Sequence, residues 1–256
     1  MTQRLRGRTA LVTGSTSNIG RAIATALAAE GAHVVVSGRD AARGRDVVDA
    51  LRAAGGTADF VRADLDGSSA RSRDLAERAL AAVGGRLDVL VNNAGIFPLH
   101  STADAGDALV DRVLAVNVKA PFFLTQALVP SMAAAGGGVV INLGSWVARL
   151  ALPTSPVYAT SKGAVETLTR AWSAELAPQN IRVNAISPGV IRADDAVNVA
   201  AEAGARMMAG TPAGGTGAPE AIAAAAVYLA SDDAAFVHGT VLDVDGGRTG
   251  VAVVAG

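Results

Sequence analysis

Short apolar runs of strand length alternate with longer, alanine-rich stretches of helical period along most of this chain. Residues 9–13 are the first run, and 18–30 follow with Ile19, Ile23, Ala26 and Leu27 on one helical face. Gly31 ends that stretch, and Val34, Val35 and Val36 then stand side by side with no polar interruption. That is the mark of a strand covered on both faces. The alternation continues as helix 41–54, strand 57–62, helix 68–83, strand 87–91, a long helical stretch 107–135 and strand 138–143. Helix 157–177, strand 181–186, helix 219–230 and strand 240–244 complete it. Seven strands interleaved with helices predict an α/β fold, a doubly wound, Rossmann-like parallel sheet with helices on both faces and right-handed crossovers. No linker or repeat divides the chain, so residues 1–256 read as one domain. Residues 190–218 break the alternation, with Met207, Met208 and a Gly/Pro/Thr-rich end. A stretch of that length between a strand and a helix is expected to be a lid beside the ligand site, against the alternative of a plain surface connection.

Composition narrows the function classes. Half the residues are apolar and 56 are alanine, which excludes a disordered chain. Twenty-two basic residues face 23 acidic ones, so no charge excess recruits nucleic acid or an anionic membrane. With no cysteine there are no disulfides, no thiolate catalysis and no zinc site built on sulfur. His33, His100 and His238 are scattered without carboxylates at ligand spacing, so no metal is expected. The basic start, residues 1–8, leads into an apolar run that stops at Gly14, too short for a signal segment or a span. A soluble, cytoplasmic protein is the expectation.

Between the first strand and first helix lies Thr13-Gly14-Ser15-Thr16-Ser17-Asn18-Ile19-Gly20. Glycines at such a turn let backbone approach a pyrophosphate whose charge rests on the helix N-terminus. The spacing departs from G-x-G-x-x-G in having Asn18 where a glycine is expected. Asn is the non-glycine residue that best tolerates left-handed φ, so the turn survives. At the end of the second strand, Ser37-Gly38-Arg39-Asp40 lacks the acid that would accept from an adenosine ribose, and offers a guanidinium suited to a 2′-phosphate. NADP(H) is therefore preferred over NAD(H), which stays possible. The bland alternative makes Arg39 a solvated residue and Asp40 a helix cap.

The chain has only two tyrosines, Tyr158 and Tyr228, and two lysines, Lys119 and Lys162. Chance would give about 0.016 Tyr-x3-Lys pairs among them, yet Tyr158 and Lys162 form one at the start of a predicted helix. At i, i+4 the two share a face. A neighbouring ammonium lowers a phenol's pKa from near 10, and a phenol so tuned gives a proton to a carbonyl oxygen or takes one from an alcohol. Ser145, thirteen residues earlier and just past a strand, stands where open α/β sheets hold ligands and can donate to a developing oxyanion.

Together with Thr13-Gly14…Gly20, Asp64-Leu65, Asn92-Asn93-Ala94-Gly95, Asn117 and Pro188-Gly189, this constellation resembles the short-chain dehydrogenase/reductase family over essentially the whole chain. The resemblance implies residue roles. Tyr158 would donate the proton, Ser145 would hold the substrate carbonyl, and Lys162 would bind the nicotinamide ribose and depress the Tyr158 pKa. Asn117 would hold a water linking Lys162 to solvent. Gly14, Thr16, Ser17, Asn18, Ile19, Gly20, Arg39, Asp64, Leu65, Asn92, Ala94, Gly95, Pro188, Gly189 and Ile191 would border the cofactor. It also implies a homotetramer or dimer built on the alanine-rich helices. Two departures, Asn18 and Ala193 where the family commonly has glycine and threonine, imply weaker cofactor binding.

Facing the substrate, the candidates are Phe97, Pro98, Trp146, Leu150, Leu152, Val190 and the methionines of 190–218, with Arg149 and Arg192 of unknown direction. That wall suits a small apolar ketone or an acyl thioester. The leading expectation is NADPH-dependent carbonyl reduction, with 3-oxoacyl thioesters the first substrate class. The alternatives are oxidation of an alcohol, steroid or sugar, and a non-catalytic cofactor-binding sensor. An enoyl-thioester reductase fits less well, because relatives of that kind separate tyrosine and lysine by more than three residues.

Overall fold

The computed structural model describes residues 3–150, 152–192 and 198–252. Ala193 and part of the 190–218 stretch lie outside them. Seven strands form one parallel sheet in the order β3-β2-β1-β4-β5-β6-β7. They are β1 Thr9–Thr13, β2 His33–Gly38, β3 Thr57–Arg62, β4 Val89–Asn92, β5 Gly138–Leu143, β6 Ile181–Pro188 and β7 Val241–Val244. The order reverses between β1 and β4, and a ligand crevice opens beyond the strand ends at such a switch point.

Period-two alternation decides which helices each strand residue meets. Ala10, Val12, Val34, Val36, Val89, Val91 and Ile141 point into one core. The helices on that side are α1 (Asn18–Ala29), α2 (Ala41–Ala53) and α8 (Pro219–Ala230), through Ile23, Leu27, Val47, Leu51, Ile222 and Ala226. Leu11, Val35, Leu90, Val140 and Val183 point the other way. They meet α3 (Ser69–Ala82), α5 (Ala120–Ala134) and α6 (Pro156–Leu176), through Leu75, Leu124, Leu128, Met132, Trp172 and Leu176. The uninterrupted valine run is buried on both faces, as the sequence implies.

Two elements differ from expectation. The 107–135 stretch is not one regular helix. α4 (Asp107–Leu114) passes into a π turn, Ala115–Lys119, before α5 begins. Insertions of this kind widen a helix locally and often mark functional positions. By length and composition alone Asp107–Ala134 could cross a membrane. Here Leu124, Leu128 and Met132 are fully buried in the second core, so it packs as a core helix. The second difference is α7, Asn198–Met208, a helix inside the stretch that breaks the alternation.

Candidate active site

A cleft of about 570 Å³ opens at the C-terminal ends of the strands. Its floor at one end is the β1–α1 turn, and Thr16, Ser17, Asn18, Ile19 and Gly20 line it. Ser17 makes no side-chain cap, so the first amides of α1 keep no side-chain acceptor there. Asn18 has φ 43°, the left-handed conformation expected of an asparagine in a glycine's place. Gly20 admits no side chain: a Cβ there would stand 2.3 Å from the Gly14 carbonyl oxygen and 2.5 Å from Asn93 Nδ2. Asn93 ties the next strand to this turn, donating through Nδ2 to Thr13 O at 2.8 Å and to Gly14 O at 3.1 Å. Thr13 Oγ1 in turn accepts from the amides of Asn93 and Ala94, both at 3.0 Å.

Arg39 is exposed at the rim and makes no ion pair among the described residues, while Asp40 caps α2 by accepting from the Ala42 and Arg43 amides. The Asp40 carboxylate is therefore engaged, and the hydrogen bonds from the Arg43 and Ala42 amides, together with the charges of Arg43 and Arg45, lower its pKa. Asp64 and Leu65 line the same end, and Asp64 faces Arg112 of α4 at 3.7 Å. Arg112 is a cleft residue that sequence reasoning missed, because nothing local tells which face of α4 meets β3.

At the other end Ser145 and Tyr158 line the cleft together, with the Ser145 hydroxyl close enough to act on the phenol. Ser145 is buried at the start of a 3-10 turn, where its Oγ accepts weakly from Val147 N at 3.4 Å. Tyr158 and Lys162 share a face of α6, with Lys162 Nζ 5.7 Å from the phenol ring centroid. Lys162 is buried and donates to Leu143 O at 2.7 Å. Burial pulls its pKa from 10.5 down to about 8, opposed by the charge of Glu166. Burial also pushes the Tyr158 phenol up from 10.0, and the Ser145 hydroxyl draws it partly back. The shift of the phenol is therefore upward, against the depression expected from Lys162, and loss of solvent is its cause.

Asn117 sits in the π turn, buried behind the cleft and absent from its wall. It accepts from Ile96 N at 2.9 Å and donates to Ile96 O and Ser161 Oγ, each at 3.0 Å. Both amide hydrogens are thus spent on protein. A water on Asn117 is left its backbone or the remaining Oδ1 lone pair. Asn92 corrects an expectation outright, since it does not border the cleft. It shares the face of Leu90, so it turns towards α5 and donates to Thr125 Oγ1 at 3.2 Å and Asn142 Oδ1 at 2.9 Å. Asn93, one residue on, faces the cleft in its place. Gly14, Ala94, Gly95, Pro188, Gly189 and Ile191 all line the cleft as expected.

Among the substrate-side candidates Phe97, Trp146, Leu152, Val190 and Met207 form the wall. Phe97 packs on Tyr158 with ring centroids 4.5 Å apart. Pro98, Leu150 and Met208 lie elsewhere, Leu150 on a separate hollow with Arg248 and Val251 and Met208 in the interior. Arg149 is held by Asp243, and Arg192 is exposed, so neither supplies a cation to this wall. Asp245 shapes the closing turn, accepting from the amides of Gly247 and Thr249 at 2.9 Å each.

A glycine-bound helix start at a sheet's switch point, sharing a cleft with a hydroxyl, a phenol and an ammonium, defines a dinucleotide-dependent oxidoreductase. Known proteins carry this further. A family model described as enoyl-(acyl carrier protein) reductase matches residues 14–249. Cyclopentanol dehydrogenase of Comamonas sp. is 36% identical over 248 residues, covering 96% of this chain and 98% of the relative. Among solved structures, a candidate NAD(P)-dependent gluconate 5-dehydrogenase from Beutenbergia cavernae, with bound NADP, superposes with a TM-score of 0.91 at 39% identity. The match covers 98% of this chain and 100% of that one. A 7α-hydroxysteroid dehydrogenase complexed with NADH and 7-oxoglycochenodeoxycholic acid gives a TM-score of 0.90 at 36% identity, covering 96% of each chain. The chain belongs to the short-chain dehydrogenase/reductase family and is an NAD(P)-dependent oxidoreductase acting on alcohol or carbonyl groups.

Proposed function

We propose that this chain is a single dinucleotide-binding and catalytic domain that interconverts a small apolar ketone and its secondary alcohol, with NADP(H) preferred. One observation carries the reading: the Tyr158 and Ser145 hydroxyls share their end of the cleft with an apolar wall of Phe97, Trp146, Leu152, Val190 and Met207, where Lys162 is the charged lining residue among the described residues and Arg248 stacks on the Trp146 ring. Such a wall strips solvent from a charged sugar acid or phosphate, so a neutral substrate suits it better. The relatives' names, a cyclopentanol dehydrogenase and a 7α-hydroxysteroid dehydrogenase, support the oxidative direction of this interconversion. Among reductive substrates a 3-oxoacyl thioester would present its apolar chain to the same wall. The three-residue Tyr158–Lys162 interval does not favour reduction of an enoyl bond.

The residues present fit a dinucleotide. The uncapped amides of α1 would hold its pyrophosphate, Arg39 a 2′-phosphate, Asp64 and Leu65 the adenine, and Gly95, Pro188, Gly189 and Ile191 the nicotinamide end. The bound nicotinamide supplies or accepts the hydride. In the reductive direction Tyr158 Oη gives its proton to the carbonyl oxygen, while Ser145 Oγ–H donates to that oxygen and holds it in line. The Lys162 ammonium, fixed on Leu143 O, favours the phenolate left behind. Oxidation runs the same transfers in reverse. Asn117 clamps the Ile96 backbone and so fixes the turn that faces Lys162, where a Cβ on Gly95 would stand 3.7 Å from Nζ. The exposed apolar groove between α5 and α6, with Phe122, Phe123 and Leu168, supports a homotetramer or dimer of this chain.

Absorbance of NADPH and NADH, followed over cyclic and linear ketones, their alcohols and 3-oxoacyl thioesters, tests the proposal. Turnover with NADPH is expected to vanish in Tyr158→Phe, and Arg39→Ala is expected to weaken NADPH binding while leaving NADH unchanged. Full activity in Tyr158→Phe would end the mechanism. Equal loss for both cofactors in Arg39→Ala would end the 2′-phosphate reading.

A further inference from the structure

Glu166 follows Lys162 by four residues on α6, so Tyr158, Lys162 and Glu166 fall at i, i+4 and i+8 along one face. It is buried at 6% exposure, and its Oε1 has no hydrogen-bond partner among the described residues. That oxygen lies 3.1 Å from the point a Cβ on Gly144 would take. Lys162 Nζ meanwhile donates to the carbonyl of Leu143, one residue before. The ammonium is thus bonded to Leu143, and the carboxylate packs beside Gly144, the next residue of the strand end that delivers Ser145. An acidic side chain sunk this deep with an oxygen unspent is costly unless its charge does something for a neighbour.

Several charged groups face Glu166. Arg149 reaches it from the turn after β5, Arg170 and Lys162 from its own helix, and Asp243 from β7. The three cations favour its ionised form, while burial and Asp243 oppose it. Lys162 itself faces the Tyr158 ring, the Asn117–Gly95 turn and Glu166, whose charge favours the ammonium.

We propose that Glu166 is a positioning residue that holds Lys162 as the ammonium and braces the Leu143–Gly144 strand end beneath Ser145. It touches neither substrate nor cofactor and acts through Lys162. The idea rests on the reading that Lys162 works as a cation beside Tyr158.

Because the chain has only two lysines, full-length protein labelled with 13C at lysine Cε gives two resonances, and exposed Lys119 is an internal reference. In Glu166→Gln, which keeps shape and removes charge, the Lys162 titration midpoint is expected to fall by at least about half a pH unit while Lys119 stays put. In Glu166→Asp it is expected to remain closer to the wild-type value. An unmoved Lys162 midpoint in Glu166→Gln overturns the assignment, even if stability or activity changes. The wild-type protein carries a second test independent of any variant's folding. Its Lys162 resonance is expected to move again in acid as Glu166 takes up a proton, and a flat trace there overturns the assignment too. Neither readout uses turnover, so these outcomes stand apart from the Tyr158→Phe result.

Discussion

Lys162→Met should make the protein more stable near neutral pH while abolishing turnover, and the gain should disappear in alkali. The buried ammonium is the reason. Burial lowers the Lys162 pKa from 10.5 to about 8, and at about 1.4 kcal/mol per pH unit that gap is worth roughly 3 kcal/mol. The sign follows from proton counting. Between the two values the unfolded chain binds more protons than the folded one, so wild-type stability rises with pH across that window. Below about pH 8 the folded protein carries the whole cost. Methionine removes this cost but leaves the Leu143 carbonyl, which accepts from Nζ at 2.7 Å, without its donor. That loss costs about 1–3 kcal/mol at every pH. Near pH 7 the variant should therefore equal or exceed wild type by up to about 2 kcal/mol, and near pH 10 it should be the weaker. Urea unfolding of both proteins, followed by circular dichroism at a series of pH values, isolates the change because other titrations cancel in the difference. The stability difference should shift by roughly 2–3 kcal/mol between about pH 7 and about pH 10. A constant difference across that range would mean that Lys162 is not held at a depressed pKa, and the burial argument would fail.

Two further expectations separate the cleft from its scaffold. Gly20→Ala should destabilise the protein by roughly 1–3 kcal/mol, because its Cβ would sit 2.3 Å from Gly14 O, and should weaken dinucleotide binding measured by fluorescence titration. Normal cofactor affinity in that variant would contradict the placement of the β1–α1 turn. Asn92→Ala breaks the buried hydrogen bonds to Thr125 and Asn142 and should lower stability by about 1–3 kcal/mol in thermal melts. Cofactor affinity should hold in the molecules that remain folded, and a selective loss would return Asn92 to the cleft.

The architecture was legible because it rests on short-range regularities. A buried strand needs an apolar run and an amphipathic helix needs a 3.6-residue period, so the alternation from residue 9 to residue 244 announced both element types and their order. The Tyr158–Lys162 pair was legible for the same reason, since four residues of helix place two side chains on one face wherever the helix packs. Asn18 belongs here too: its φ of 43° answers a local demand of the turn that the residue type already signals. Boundaries slipped by a residue or two, as at β4, which begins at Val89.

Other features depended on which elements come together. Strand periodicity says that Asn92 and Asn93 face opposite ways but not which of them meets the cleft. The packing of Leu90 against α5 settles it, and turns Asn92 inward with it. The π turn at Asn117 has no local signature, because its side chain bonds Ile96, twenty-one residues away, and Ser161 of another helix. Arg112 and Glu166 reach their places through the contacts of α4 and α6 with the sheet ends. The proton affinities of Tyr158 and Lys162 are set furthest from the sequence. Spacing alone makes the pair attractive, but loss of water around both groups comes from every element that covers them, and it reverses the expected shift of the phenol. The sequence by itself determined the order of strands and helices and the helical register of the catalytic pair, because those depend on neighbours a few bonds away. Only the tertiary structure decided which side chains face the cleft and how each holds its proton, because burial is a property of the whole assembly of elements.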